Sequence, residues 1–335
     1  MPRRPISVAG VPLLDIGSYA RRGPGRRDRL SPAEIDLIAR TVRRTPEVMV
    51  KVLSRGGQDL KAVRRHIDYL RDREEGELAI ETDDGERLTG AGVAKSLTED
   101  WNLDLQEHRH RWDLDGRGHP STKLVHKLMF SMPAGTPPQK VLEAVKNFAR
   151  EEFALKHRYA MVLHTDEPHP HVHMVVRAVS EQGERLNIRK ATLRVWRREF
   201  ARHLRNEGIA ANATERAVRG ETDARKCDGI YRASLRGEST HISTRAEAVA
   251  RELANGGLQI EPGKVGILRT RNEIRRAWKL MGELLVRQQQ PDLAHQVWRF
   301  ADSMPPPLTE KEVIAAHMRS RAEEYAKLGR DPHSQ

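Results

Sequence analysis

The stretch HTDEPHPHVH at residues 164–173 concentrates side chains that can bind a metal ion. On a β-strand, side chains two residues apart point to the same face, so His171 and His173 project together. If the chain turns back through residues 165–170, His164 on the preceding strand faces His171, with Cβ atoms about 4.5–5.5 Å apart. Three imidazoles without a thiolate leave coordination positions open, which is typical of a catalytic metal site. The pattern predicts a β-hairpin that holds a divalent metal ion.

Asp166 lies in the predicted turn of this hairpin. A carboxylate beside a metal site can orient a histidine ligand such as His171 through its second ring nitrogen, or it can accept a proton during the reaction. The sequence leaves both roles open. A chance cluster of histidines in a solvated turn is the alternative interpretation, and the apolar strand pattern that follows directly argues against it.

The helix predicted to begin near residue 59 carries a candidate nucleophile, Tyr69. Its apolar residues recur at steps of three and four and form one stripe, which consists of Leu60, Val63, Ile67 and Leu70. Tyr69 lies off this stripe and shares a helix face with His66 and Arg73. A phenol has a pKa of about 10, so it attacks a phosphate only where positive charge or a bound metal assists. A tyrosine at the border of an amphipathic helix is the alternative interpretation.

The elements that must position these residues alternate between strand and helix patterns. Strand patterns cover residues 48–53, 77–90, 124–131 and 184–188, and the helix after Thr136 and the helix at 191–207 have apolar faces. These elements predict an α+β core, a largely antiparallel sheet with packed helices. Beyond about residue 240 only helical patterns remain, at 244–254, 268–289, 291–302 and 309–328. The fold therefore includes a C-terminal helical region.

Composition shifts along the chain divide it into three parts. Residues 1–45 read as a basic arm followed by a short helix, residues 46–240 as the catalytic domain, and residues 241–335 as the helical C-terminal region. The sequence does not indicate what the helical region binds.

The overall charge favours a polyanionic partner. The net charge is +12, and aromatic residues make up only 4% of the chain, so contacts to nucleic acid must come mainly from arginine and lysine. Arg197 and Arg198 in the helix at 191–207 are candidate phosphate contacts, with a solvated helix face as the alternative. Arg73, on the helix face of Tyr69, and His169, in the hairpin turn, are further candidates for DNA binding.

Several classes of protein are excluded by what the sequence lacks. No apolar run approaches the roughly 20 residues that span a bilayer, and the N-terminal segment is interrupted by Pro12 and Asp15, which is unlike a secretory signal. We therefore expect a cytoplasmic protein without membrane insertion. The single cysteine, Cys227, excludes an internal disulfide and a cysteine-based zinc finger.

Three of these motifs resemble those of a known family. HTDEPHPHVH looks like the third motif of the plasmid mobilisation relaxases and T-DNA border endonucleases, which are HUH-type single-strand DNA endonucleases. VMVKVLSRGG at 48–57, followed by HIDYLRDR at 66–73, is similar to their first motif, and SMPAGT at 131–136 is similar to their second. The resemblance covers roughly residues 48–220, about half of the chain.

The resemblance implies a reaction and roles for the residues. His164, His171 and His173 would hold a divalent metal, Mg²⁺ or Mn²⁺ on availability, although imidazoles alone also suit Zn²⁺. Tyr69 would attack a DNA phosphate and become covalently linked to the strand, and Ser131 would contact DNA near the scissile position.

The resemblance also implies partners. These are single-stranded DNA at a transfer origin, accessory proteins of the relaxosome, and the coupling protein of a type IV secretion system that exports the protein with the DNA to a recipient cell. Two alternatives remain open at this stage. One is a rolling-circle replication initiator or transposase with the same chemistry, and the other is a non-catalytic nucleic-acid-binding protein with a structural metal.

Overall fold

A computed structural model of the chain describes residues 29–53, 57–72, 78–106, 123–221 and 240–328. The chain forms two compact units, one of Arg44–Ala213 and one of Met1–Arg43 with Thr214–Gln335. Apart from its first two residues, the former lies inside the predicted catalytic range of 46–240. The predicted division at 240 stays a prediction, because residues 222–239 lie outside the described part of the chain.

The unit Arg44–Ala213 is built on a six-stranded sheet in which every neighbouring pair of strands is antiparallel. In chain order the strands are β1 (Met49–Leu53), β2 (Ile80–Thr82), β3 (Arg87–Leu88), β4 (Val125–Ser131), β5 (Tyr159–His164) and β6 (His171–Arg177). Their spatial order is β1-β4-β6-β5-β2-β3. The predicted α+β class with a largely antiparallel sheet is confirmed.

The helices of this unit pack on both faces of the sheet. They are α2 (Leu60–Arg71), α3 (Val93–Asp100), α4 (Pro138–Phe153) and α5 (Lys190–Asn206). Helices α4 and α5 cover one face with an aromatic core that consists of Phe130, Phe148, Phe153, Trp196 and Phe200. Helices α2 and α3 cover part of the other face, where they bury the side chains of Val125, Val162 and Val175. Successive side chains of the central strands point to opposite faces of the sheet and therefore contribute to two separate hydrophobic cores.

The remaining unit is helical. It contains α1 (Pro32–Val42), α6 (Thr240–Ala254), α7 (Gly263–Arg287), α8 (Pro291–Asp302) and α9 (Glu310–Leu328). The core of this unit lies between α7, α8 and α1 and includes the fully buried ring of Trp278. The N-terminus of α1 carries a capping box in which Ser31 and Glu34 satisfy each other's backbone N–H groups. The predicted C-terminal helical region is confirmed.

One predicted strand is absent. Residues 184–188 form no strand, and Arg185 makes only an isolated bridge with Val179. The turn at Gly183 places Arg185 opposite Val179, and the chain then continues to α5 without forming further pairs of this kind in the described residues. No helix in the described ranges is long and apolar enough to cross a membrane.

Candidate active site

The three histidines of the predicted metal site come together on the face of the sheet that α2 and α3 partly cover. His164 at the end of β5 pairs directly with His171 at the start of β6, and His173 follows two residues later on the same face. Their ring centroids are 5.0–5.3 Å apart. One ligand atom from each residue lies within 4.8 Å of the other two, and all three side chains are buried. The arrangement can hold one metal ion.

Backbone carbonyls fix the orientation of two of these rings. The His171 Nδ1 atom lies 3.0 Å from the carbonyl oxygen of His169, and the His164 Nε2 atom lies 2.8 Å from that of Leu70. A carbonyl oxygen only accepts hydrogen bonds, so each of these nitrogens carries the ring proton. The lone pairs are then on His171 Nε2 and His164 Nδ1. Such contacts on the second nitrogen are how proteins commonly fix metal-binding histidines.

Asp166 lies on the side of His171 that carries the lone pair. Its Oδ1 atom is 3.9 Å from His171 Nε2, whereas the opposite nitrogen is bound to the carbonyl of His169. The sequence leaves two roles open for Asp166. The carbonyl of His169, and not Asp166, orients the His171 ring through its second nitrogen. The position of Asp166 favours an interaction with a group that binds at the cluster.

The last turn of helix α2, which carries the candidate nucleophile Tyr69, contacts the cluster. Asp59 caps the N-terminus of this helix through the amides of Lys61 and Ala62, and its apolar stripe is buried against the sheet. Tyr69 lies off the stripe and is 58% exposed, so its hydroxyl is accessible to a large substrate. The next residue, Leu70, accepts the hydrogen bond from His164. The last turn of α2 is therefore tied directly to the histidine cluster.

His66, one turn before Tyr69, also faces the cluster. Its ring centroid is 6.4 Å from that of His173 in an edge-to-face arrangement. Burial, with smaller effects from Lys127 and His164, lowers the pKa of His66 to about 4. The imidazole is therefore neutral at physiological pH. The sequence placed His66 beside Tyr69 on the helix, but it gave no signal that this ring would reach the cluster.

The predicted DNA contacts differ in location and in exposure to solvent. Ser131 ends β4 directly opposite His171, where it is buried, and His169 is exposed in the hairpin turn. On α5, Arg197 donates to the carbonyl of Val50 at 3.2 Å, while Arg198 is half-buried.

Some sequence predictions lie outside the described residues. These are the side chain of Arg73, the basic arm before residue 29, and Cys227. Helix α3 lies in the polar segment 91–106, for which the sequence predicted no helix.

One buried cation near the cluster was not predicted from the sequence. Lys127 on β4 is 5% exposed, and burial lowers the pKa of its ammonium group to about 8. The alternation of side chains along β4 could have indicated it. Every second residue of a strand points to the same face, and the face that carries the histidines is shared by Val125, Lys127, Met129 and Ser131.

Comparisons with known proteins agree with this site. Residues 69–209 match the model of a relaxase family described as the MobA/VirD2-like nuclease domain. The matched range contains Tyr69, the three histidines and Ser131, so the family resemblance predicted from the motifs is confirmed over these residues.

A curated relative points the same way. The chain is 24% identical over 185 residues to the T-DNA border endonuclease VirD2 of Rhizobium radiobacter. The aligned region covers 52% of this chain and 43% of the relative. The chain thus matches less than half the length of that protein. No solved structure matches the chain.

Proposed function

We propose that the unit Arg44–Ala213 is a relaxase nuclease that nicks and rejoins single-stranded DNA through a covalent tyrosyl intermediate. One observation carries the proposal. The turn of α2 that bears Tyr69 is hydrogen-bonded, through the carbonyl of Leu70, to His164 of the three-histidine cluster. This contact links the helix turn of the candidate nucleophile to the candidate metal site, which supports metal-assisted nucleophilic attack.

The residues at the cluster fit a divalent metal. Three buried imidazoles with no thiolate among them offer neutral nitrogen ligands, and two of the rings have their second nitrogen engaged by a carbonyl. His164 through Nδ1, His171 through Nε2, and His173 would hold the ion. When bound, the ion supplies positive charge to the oxygens of the scissile phosphate. Mg²⁺ or Mn²⁺ is our first candidate, and Zn²⁺ also suits this donor set.

The reaction is a transesterification. The Tyr69 oxygen forms a bond to the phosphorus while the bond from phosphorus to the 3′ oxygen breaks, which leaves a 5′-phosphotyrosine and a strand that ends in a 3′-hydroxyl. In our proposal Asp166 accepts the phenol proton and the leaving 3′ oxygen takes a proton from solvent, so charge and atoms balance. The covalent bond preserves the energy of the phosphodiester, and attack by a 3′-hydroxyl reverses the step.

The curated relative supports a proposal for the substrate. The matched curated protein is called a T-DNA border endonuclease, and we propose that this chain likewise acts on a defined DNA site, a transfer origin of a mobile element. Ser131, Arg73, His169, Arg197 and Arg198 remain proposed DNA contacts. Accessory relaxosome proteins and a type IV coupling protein are proposed partners, and the helical unit is available to bind them.

A covalent adduct separates this function from its alternatives. The full-length chain is incubated with a divalent metal and single-stranded DNA labelled on the 3′ side of the cleavage site, and then analysed under denaturing conditions. A strand transferase leaves labelled DNA attached to the protein, and EDTA abolishes the attachment. A hydrolytic nuclease cuts without attachment, and a passive binding protein does neither.

A replication initiator or transposase would also form the adduct. It would be distinguished by cleavage at a replication origin or transposon end instead of a transfer origin.

A further inference from the structure

Two lysines flank Met129 on the sheet face that carries the histidine cluster. Lys51 on β1 lies directly opposite Met129, and Lys127 precedes it by two residues on β4. On its other side Met129 pairs with His173. Neighbouring strands are about 4.8 Å apart and diagonal neighbours about 7–8 Å apart, so the Cα atoms of both lysines lie within about 10 Å of that of His173.

In the described part of the chain, this face is exposed towards its β1 edge. Helices α2 and α3 bury its other half, around Val162 and Val175. Towards the β1 edge, Lys51 is exposed, Met49 is 37% exposed and Met129 is half-buried. A ligand at the histidine cluster can therefore continue across the sheet towards β1.

The two strands carry charge of one sign. The strands β1 and β4, with sequences MVKVL and VHKLMFS, contain no acidic residue. Lys51 and Lys127 make no ion pair with a carboxylate in the described part of the chain. The side chains of these two strands therefore add no repulsion to an extended anion.

Lys127 gives the second indication of an anionic ligand. Its side chain is 5% exposed, and burial alone accounts for the lowering of its pKa to about 8. Burying most of a lysine side chain without a carboxylate partner is unfavourable for folding. A position with no function in binding would be better filled by an apolar residue, as at Val125 and Val175 on the same face.

We propose that Lys51, Met129 and Lys127 bind the segment of single-stranded DNA adjacent to the scissile phosphate. The two ammonium groups contact successive backbone phosphates, and the Met129 thioether packs against the base between them, since sulfur makes favourable contacts with aromatic rings. The proposal rests on the proposed function, because it assigns part of the substrate site of that reaction. It also explains how a chain with 4% aromatic residues holds a strand.

The test is the salt dependence of DNA binding by the full-length chain. The affinity for a fluorescent single-stranded oligodeoxynucleotide is measured in EDTA over a range of salt concentrations. Each phosphate contact contributes about 0.7 to the slope of log K against log salt. Lys51→Met and Lys127→Met should each reduce the slope by about 0.7 and the double variant by about 1.4, while Lys51→Arg and Lys127→Arg should keep it.

A matched control is Lys156→Met. Lys156 is exposed in the same unit, but it precedes β5, whereas the cluster begins at the far end of that strand. This variant should leave the slope unchanged. Urea denaturation separates binding from folding, because removing the buried charge of Lys127 should leave stability equal or higher.

Unchanged slopes in folded Lys51→Met and Lys127→Met would overturn the proposal. If Lys127→Met does not fold, the DNA affinities of Lys51→Met and Met129→Ala test the proposal instead. Wild-type affinity in both of these variants would also overturn it. The assay contains no metal and needs no cleavage. Failure here with a normal covalent adduct in wild type would therefore leave the proposed function intact, and absence of the adduct would refute that function separately.

Discussion

Removal of His164 should cost more stability than removal of His171, although both would be metal ligands. The carbonyl of Leu70 is one of the last four of α2, which have no partner within the helix, and His164 satisfies it in a fully buried position. His164→Ala leaves this carbonyl without a donor among the described residues, at a cost of about 1–3 kcal/mol. The partner of His171 is the carbonyl of His169 in the exposed hairpin turn, where water can replace the ring.

The difference is measured without metal, so that loss of a ligand does not contribute. Urea unfolding of both variants in EDTA gives the two free energies of unfolding, and that of His164→Ala should be lower by about 1–3 kcal/mol. Hydrogen exchange of the last-turn amides of α2 should accelerate in His164→Ala and stay near the wild-type rate in His171→Ala. Equal stabilities with unchanged exchange would refute the claim that His164 holds the end of α2.

Three further predictions concern binding, packing and pH. His173→Ala should lose metal affinity and cleavage together while keeping most single-stranded DNA affinity, and cleavage at the wild-type rate by the folded variant would exclude His173 as a ligand. Gly57→Ala should destabilise the chain by about 1–3 kcal/mol, because the added Cβ would clash with the carbonyl oxygen of Val125; a variant with wild-type urea stability would contradict the close packing of Gly57 against β4. Burial lowers the pKa of His126 from 6.5 to about 4, so the unfolded state binds more protons between these values and stability should fall as the pH drops from 6.5 to 4. The upper bound of this loss is about 3 kcal/mol, and about half of it should remain after solvent screening. His126→Gln should flatten the profile by that amount, and an unchanged profile would exclude His126 as its source.

Local patterns in the sequence were sufficient to predict the histidine cluster. The side-chain period of a strand and the length of the turn fix which residues of a hairpin face each other, so spacing alone places His164, His171 and His173 together. The antiparallel sheet and its helices followed from similar periodicities. The prediction of a strand at 184–188 was wrong. In the described residues this segment forms only the β-bridge between Val179 and Arg185, and it then continues into α5.

Contacts between distant parts of the chain could not be predicted in the same way. The hydrogen bond from His164 to Leu70 joins residues 94 positions apart and depends on how α2 packs across the sheet. The same packing brings His66 to His173. The alternation of β4 puts Lys127 on the same strand face as Ser131, but only the register of β4 with β6 shows that this is the face of the cluster.

The most direct test of the account is the identity of the residue that becomes linked to DNA. Tyr69→Phe removes only a hydroxyl from an exposed ring, so the fold should persist and any loss reports on chemistry. Tyr159→Phe is the matched control, because Tyr159 is a buried core residue on the opposite sheet face. With a divalent metal and single-stranded DNA carrying the cleavage site, wild type and Tyr159→Phe should form a denaturant-resistant adduct that peptide mapping places on Tyr69. Tyr69→Phe should form none. An adduct formed by Tyr69→Phe at the wild-type rate, or one mapped to another tyrosine, would contradict the assignment of Tyr69 as the nucleophile.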